Sequence, residues 1–488
     1  MDIGYSFGSD SKEVRKVNKW ESLLTKIFPF VLCFYFIGTF IPNIVSWSSP
    51  LQAFFTSGVT KLIWRALVAL IYGGFMIFAF IVIKPKVDKR LLSLSFIAFA
   101  FLLISPLFNL SPISFSVIDQ WLRLVHVDIT VGFVEIVGYY ADTFFSLIFL
   151  LSLFFVVPHL IRKSPLSHLV FYAFIAIMAF CCLFSFIAEA SIYSDILKGD
   201  NNAYEEAIKS IFPSKNAFGA FLSQAFSIAI YMLVRACQRE SEKLHPKYRI
   251  IMIILWSILA GIFGVTLMFT FNKNGIGSML VFAIAVIGLL LIKKYLDSRN
   301  KNERKKIGIL TAIYGSILLI GIIFIISYPR LLDTLLSSVE GRNHVVKLFF
   351  NNLDGERILV GFGHSFGYHL YYWSFMAGRY IILDNIHNAF LTVLGTGGIL
   401  YLAFYIGLII YAFYILIKRR NNLLFFVVSM AILISFLFAS LFESTQLFIS
   451  GSSGSSLMSL LIISFPLAGQ APFIDERKDE FFELKVGQ

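Results

Sequence analysis

Charge is scarce in this sequence: only 14% of its 488 residues are Asp, Glu, Lys or Arg, against 58% hydrophobic residues that include 54 Phe, and the mean hydropathy is +0.80. A chain so poor in charge cannot be an ordinary soluble protein, and the composition sets the class as a polytopic membrane protein. Cysteine is scarcer still. Cys33, Cys181, Cys182 and Cys237 lie in or at apolar segments without metal-ligand spacing, which implies no disulfide framework and makes them expected core residues. There is no Walker motif or other nucleotide loop, and no carboxylate-rich metal site among the segments expected to face outward, so neither cofactor nor metal is expected. No internal repeat of fixed period is visible, which weakens a transporter built from inverted repeats and still leaves that class open. Residues 1–20 lack the apolar run and small-residue cleavage site of a signal peptide, so the first membrane helix is the expected targeting element.

The charge that is present is unbalanced, at +12. On a soluble chain this would suggest nucleic acid. In a membrane protein the cations are expected to follow the loops of one side, so nucleic acid is not an expected partner. Apolar runs of about 20 residues, the length that crosses a bilayer, fall at 27–47, 62–83, 91–110, 142–161, 167–188 and 216–236. A second set falls at 250–271, 275–294, 307–328, 388–417, 423–443 and 454–470, the last being the shortest. The expected fold is therefore an all-α integral membrane protein of about twelve transmembrane helices. Alternate siding gathers Lys12/Arg15/Lys16/Lys19, Lys84/Lys86/Lys89/Arg90, Arg162/Lys163, Arg239/Lys243/Lys247/Arg249, Lys293 through Lys306 and Lys418/Arg419/Arg420 on one side, which is then cytoplasmic. The division that follows is a cytoplasmic tail over 1–26, nine helices over 27–328, a large outer loop over 329–386, three helices over 387–470 and a cytoplasmic tail over 471–488.

The outer segments carry more than polar filler. Phe115 to Val125 alternates as an amphipathic helix would, and is expected to lie in the membrane interface as scaffold or lipid contact. The large outer loop has a helix-like stretch from Asp333 to Phe350 and a glycine-rich turn, Val360-Gly361-Phe362-Gly363-His364-Ser365-Phe366-Gly367. Its length and aromatic content predict a folded cap over a cavity. Where this loop enters the next helix, the sequence reads Leu383-Asp384-Asn385-Ile386-His387-Asn388-Ala389-Phe390-Leu391 and runs on to Gly395-Thr396-Gly397-Gly398. Asp384 or Asn385 can cap that helix, which predicts His387 in its first turn. The partial positive charge at a helix N-terminus disfavours imidazolium, so a histidine there is suited to accept a proton. The competing reading is an interfacial histidine beside an ordinary cap.

Cations on the same outer side are the other candidates. Lys273 sits in a very short turn, Phe271-Asn272-Lys273-Asn274-Gly275, where it either functions or snorkels to the surface. Lys215 and Asn216 precede another span. Arg342 and Arg379 complete the set, each with the alternative of an anchor or an ion pair, for example with Glu340 or Asp384. Arg and Lys hold phosphate, and positioned cations can stabilise a departing diphosphate. A base such as His387 could take the proton from an acceptor hydroxyl. Nucleotide sugars are absent outside the cytoplasm, so a lipid-linked donor is the natural substrate for glycosyl transfer there.

Pro-Ser-Lys-Asn-Ala-Phe-Gly at 213–219, Thr-Phe-Asn-Lys-Asn-Gly at 270–275, Gly-Arg at 341–342, Val-Gly-Phe-Gly at 360–363 and His-Asn-Ala-Phe-Leu-Thr-Val-Leu-Gly-Thr-Gly-Gly at 387–398 together resemble, in that order, the O-antigen ligase and O-antigen polymerase superfamily of bacterial membrane glycosyltransferases. The resemblance covers about 210–415. It implies a polytopic, GT-C-like helical fold in the bacterial cytoplasmic membrane, with the site facing the periplasm or cell exterior, and transfer of glycans linked to undecaprenyl diphosphate. It implies His387 as base, Arg342 and Lys273 on the diphosphate, Lys215 in support, and Asn388, Asn216, Arg379 and Asp384 around them. Asn272-Lys273 stands where the family often has Ser-Arg. The expected activity is polymerisation of lipid-linked repeat units, with ligation to lipid A–core or flipping of the same lipid-linked sugars as alternatives. Membrane lipids, a chain-length regulator and a flippase are the partners this reading implies.

Overall fold

A computed structural model of the chain describes residues 19–44, 58–105, 107, 113–118, 124–129, 133–164, 166–199, 208–237, 246–327, 345–347, 349–353, 355–363, 366, 386–449 and 453–469. The apolar runs become helices: α1 (Lys19–Ile44), α2 (Gly58–Ile83) and α3 (Lys89–Ile104) come first. Helix α4 starts as Phe133–Leu151 and passes through a π turn at Ser152–Val156 into Val157–Lys163. Then follow α5 (Leu169–Ala188), the short α6 (Ala190–Leu197), α7 (Lys215–Cys237), α8 (Pro246–Phe269), α9 (Lys273–Asp297), α10 (Lys301–Ser327), the short α11 (Gly355–Val360) and α12 (Ala389–Lys418). Helix α13 joins a π segment at Leu424–Ser429 to Met430–Ser440, and α14 joins Ser453–Ser459 through a π turn at Leu460–Ser464 to Phe465–Ala468.

Among the described residues, 8 helices are long and apolar enough to cross a membrane: α1, α2, α4, α5, α7, α8, α9 and α12. The chain is thus a multi-pass helical membrane protein. The other four expected spans also fall on helices. Those at Leu424–Ser440 and Gly454–Ala468 are apolar but shorter, α3 has 16 residues, and α10 begins with Lys301, Glu303, Arg304, Lys305 and Lys306. None of these four is among the 8.

One expectation fails outright. The segment expected as an interfacial helix, Phe115 to Val125, contributes to an antiparallel hairpin of β1 (Ile113–Ile118) and β2 (Leu124–Ile129), with Ser116 opposite His126 and Ile118 opposite Leu124. Ile113, Val117, Ile118, Val125, Val127 and Ile129 are β-branched, and their restricted χ1 favours a pleated ribbon over a helix.

The main core lies between α1, α2, α4, α5, α7, α12, α13 and α14, with one face each of α3 and α8 packed into it, and much of it is aromatic. Tyr35, Tyr72, Phe145 and Phe149 pack together in tilted and edge-to-face pairs, the two tyrosine rings 4.5 Å apart. An unpartnered hydroxyl in hydrocarbon is costly, and both tyrosines find a serine: Tyr35 bonds Ser456 at 3.1 Å and Tyr72 bonds Ser152 at 2.9 Å. Ser464, in the π turn of α14, donates to the Leu153 carbonyl in the π turn of α4 at 2.9 Å. By contrast α8, α9 and α10 leave rows of Ile and Leu exposed, including Ile251, Ile258, Ile284, Ile313 and Ile320, as lipid-facing helices do. Cys181 and Cys182 are buried and Cys33 half-buried, while Cys237 at the end of α7 is exposed and is not the core residue expected of it.

Residues assigned to one side by alternate siding meet one another. Glu21 contacts His159 at 3.0 Å and Lys163, and Arg419 donates to the Pro466 carbonyl at 3.0 Å on α14, whose last turn packs on the end of α4. At the opposite ends Arg65 lies 3.5 Å from Asp142.

The described part of the large loop is pinned to α12. Gly398 breaks that helix, with φ 74° and ψ −173°. The Phe362 N–H donates to the Gly395 carbonyl at 2.6 Å, so a backbone acceptor near the break is satisfied from the loop. The approach is backbone to backbone: a Cβ on Gly398 would lie 2.0 Å from the Leu359 oxygen, and one on Gly361, at φ 71°, would lie 2.7 Å from the Thr396 carbonyl carbon. Val345, Phe349, Phe362, Phe366, Ile386 and Leu394 form a second, smaller core under this contact. The two glycine motifs, Val-Gly-Phe-Gly and Gly-Thr-Gly-Gly, are the halves of one joint.

Candidate active site

Three long helices begin at or just after polar residues at this same end: α7 at Lys215, α9 at Lys273 and α12 at Ala389, after Asn388. Each has a polar side chain at its start. Ser214 accepts from Ala217 N at 3.2 Å, Asn272 accepts from Asn274 N and Gly275 N at 3.1 Å each, and Asn388 accepts from Leu391 N at 3.0 Å. Such caps fix where a helix starts, and therefore where its partial positive charge lies.

The cap of α12 differs from expectation. Asn388, extended at φ −152° and ψ 118°, takes the capping place offered to Asp384 or Asn385. His387 is consequently outside the helix rather than in its first turn, in the left-handed region at φ 49°. Ile386 explains the register: it is buried in the small core with Phe366 and Leu394, which holds the chain out of helical path until Asn388.

Hydrogen bonds join these helix starts. The buried Asn272 donates from Nδ2 to the Asn216 carbonyl at 2.9 Å, tying α9 to α7. Gly219 and Gly275 allow it: a Cβ on Gly219 would lie 2.5 Å from Asn272 Nδ2, and one on Gly275 would lie 2.8 Å from the Gly219 oxygen. Asn274 donates to the Ala439 carbonyl at 3.4 Å and Asn388 to the Leu441 carbonyl at 3.2 Å, so α9 and α12 both reach the end of α13. Just beyond that end, Glu443 Oε2 lies 3.3 Å from His387 Nδ1. Both side chains are half-buried, at 24% and 35% exposure, which leaves them open to a ligand.

A carboxylate only accepts, so Nδ1 carries the proton of this pair and Nε2 is the proton-accepting nitrogen. The dipole argument for a neutral histidine assumed a place inside the first turn; the partner Glu443 takes over the work of orienting the ring. Glu443 lies 56 residues along the chain from His387, and no periodicity or motif points from one to the other. Asn272 was passed over for a different reason: it looked like a departure from a family pattern, whereas it caps one helix and ties it to another.

The structure thus brings Lys215, Asn216, Lys273, His387 and Asn388 to one end of the bundle, with Lys215 half-buried and Lys273 exposed. Arg342, Arg379 and Asp384 lie outside the described residues, as do His344 and His364. Among the described residues no three His, Cys, Asp or Glu side chains cluster. Chemically, the arrangement offers one oriented proton acceptor beside three helix N-termini and two lysines, a setting favourable to an anion. Set against known protein families and curated proteins, the chain matches no family model and no individual protein.

Proposed function

We propose that the chain is a bacterial membrane glycosyltransferase that polymerises oligosaccharide repeat units carried on undecaprenyl diphosphate, for a surface polysaccharide such as an O-antigen, capsule or exopolysaccharide. In this reading the twelve helices all cross the cytoplasmic membrane in a GT-C-like arrangement, both chain ends are cytoplasmic, and the His387 end faces outward. The observation that carries the proposal is the His387–Glu443 pair set beside the lysine-bearing starts of α7 and α9.

The chemistry follows from the residues. The acceptor hydroxyl gives its proton to His387 Nε2, and its oxygen attacks the anomeric carbon of the donor. The bond from that carbon to the diphosphate oxygen breaks as the new glycosidic bond forms. Undecaprenyl diphosphate leaves as the anion, its developing charge met by Lys273 and Lys215 and, in this reading, by Arg342. Glu443 stabilises the imidazolium that forms in the step, then the proton passes to solvent.

The test is turnover by purified protein in liposomes supplied only with the lipid-linked repeat. A ladder of increasing glycan length is expected, and His387→Ala should remove it. Product that forms only when lipid A–core is added would make the chain a ligase. Movement of intact lipid-linked sugar without any new bond would make it a flippase.

A further inference from the structure

At the opposite, basic end of the bundle, α9 carries a feature that glycosyl transfer does not use. A cleft of about 470 Å³ runs between the last turns of α9 and Leu423, at the start of α13. Its α9 wall is Ile287, Leu290, Leu291 and Lys294, a stripe at spacing i, i+3, i+4 and i+7 and therefore one face of the helix. The wall is apolar for its first three members and cationic at the fourth, which lies about 10 Å along the axis from Ile287 at 1.5 Å per residue. Lys293 and Asp297 complete the rim and pair with each other at 2.6 Å, with Lys293 only 14% exposed.

The turn after the cleft is ordered and strongly basic. From 293 to 306 the chain has Lys293, Lys294, Arg299, Lys301, Arg304, Lys305 and Lys306 against Asp297 and Glu303. Ser298 holds this turn together: its hydroxyl donates to Glu303 at 2.9 Å, and Arg304 Nε donates to its carbonyl at 2.7 Å. Glu303 is thereby engaged within the turn and Asp297 by Lys293 on α9, which leaves a surplus of positive charge on the segment that follows the cleft.

We infer that this cleft is a binding site for an anionic phospholipid, with one acyl chain along Ile287, Leu290 and Leu291 and the phosphate at Lys294. The match is one of order along the helix: apolar wall, then cation, as a lipid presents chain, then phosphate. A basic pocket between membrane helices at the cytoplasmic end is where anionic head groups are held. The inference does not depend on the glycosyltransferase reading.

The experiment is native mass spectrometry of the full chain in a neutral detergent, titrated with phosphatidylglycerol or with phosphatidylcholine of the same chains. Phosphatidylglycerol should be retained in preference. Lys294→Gln should weaken retention about fivefold, while Lys305→Gln, which removes the same charge outside the cleft, should leave it within twofold, a margin of about 0.4 kcal/mol. Leu290→Trp keeps every charge and fills the wall, and should abolish retention. Thermal unfolding checks that each variant is folded, and if Leu290→Trp is not, the exposed Lys294 change decides. Equal retention of phosphatidylcholine, equal loss in Lys305→Gln, or displacement by inorganic phosphate as readily as by phosphatidylglycerol would each overturn the site.

Discussion

His387 Nδ1 and Glu443 Oε2 lie 3.3 Å apart across the gap between the start of α12 and the end of α13. The histidine stands in a left-handed backbone conformation just before its helix, and the glutamate stands just after its own. The Glu443 N–H still donates to the Ala439 carbonyl at 3.0 Å, as a helical residue would, whereas His387 lies outside its helix, so the end of α13 places the carboxylate and the ring is oriented against it.

Glu443→Gln should therefore lower polymerisation at least about tenfold, short of the roughly 10²–10⁴ that the positioned base itself contributes. The loss should appear in kcat, with KM for the lipid-linked donor unchanged. Glu443→Asp should recover part of the rate. A Glu443→Gln protein with the parental kcat would remove the pair from the mechanism.

His387→Asn separates chemistry from anchoring. As a base, His387 contributes about 10²–10⁴ in rate, and asparagine cannot replace it. Folding and donor binding should persist. Near-parental turnover would make His387 an interfacial anchor.

The glycine contact between α7 and α9 gives a stability test. Gly219→Ala should destabilise the fold by about 1–3 kcal/mol, because its Cβ meets the Asn272 side chain. Combining it with Asn272→Ala should cost less than the two changes summed, since the second removes the obstacle to the first. Gly275→Ala meets the Gly219 backbone instead, and Asn272→Ala should not relieve it. Thermal unfolding of the six proteins of the two cycles in one detergent measures this; strict additivity in the first cycle would refute the contact.

Gly398→Ala combines a positive φ with a Cβ aimed at the Leu359 carbonyl. It should release α11 from α12 and raise proteolysis within 355–363, while cleavage between α9 and α10 stays as it was. Unchanged proteolysis would mean that the joint does not hold the loop.

His168, just before α5, is half-buried, and burial followed by the charge of Arg235 pushes its pKa down to about 4 from an ordinary 6.5. The unfolded chain then binds the proton more readily than the folded one between these values. The contribution of His168 to stability is full above pH 6.5 and is lost as pH falls toward 4. The unfolding temperature of His168→Gln should fall less over that interval than the parent's, and parallel curves would contradict the shift.

Hydropathy was enough to find the 8 long apolar helices, because a helix that crosses a membrane must keep about 20 residues apolar whatever its neighbours are. It could not find the hairpin at 113–129, since alternation over so few residues fits an interfacial helix as well, and the β-branched residues were the better signal. The lysines at the starts of α7 and α9 were legible from polar residues abutting apolar runs. The capping residue of α12 was not: Asp384, Asn385 and Asn388 can all cap, and burial of Ile386 together with the bond to Leu441, both tertiary events, selects the last. The pairing of Glu443 with His387 stayed hidden because only folding brings the two together.

The bond from Asn272 to Asn216, with Gly219 and Gly275 in contact beneath it, has a mechanical consequence. It locks α7 and α9 into one solid jaw, so Lys215 and Lys273 ride on a single body at fixed separation. His387 belongs to another part, joined to that jaw through the end of α13 by the carbonyls of Ala439 and Leu441 and by Glu443. The residues from Ala439 to Glu443 are thus where the lysine-bearing jaw and the proton acceptor meet, and a change in that short segment is felt by both at once.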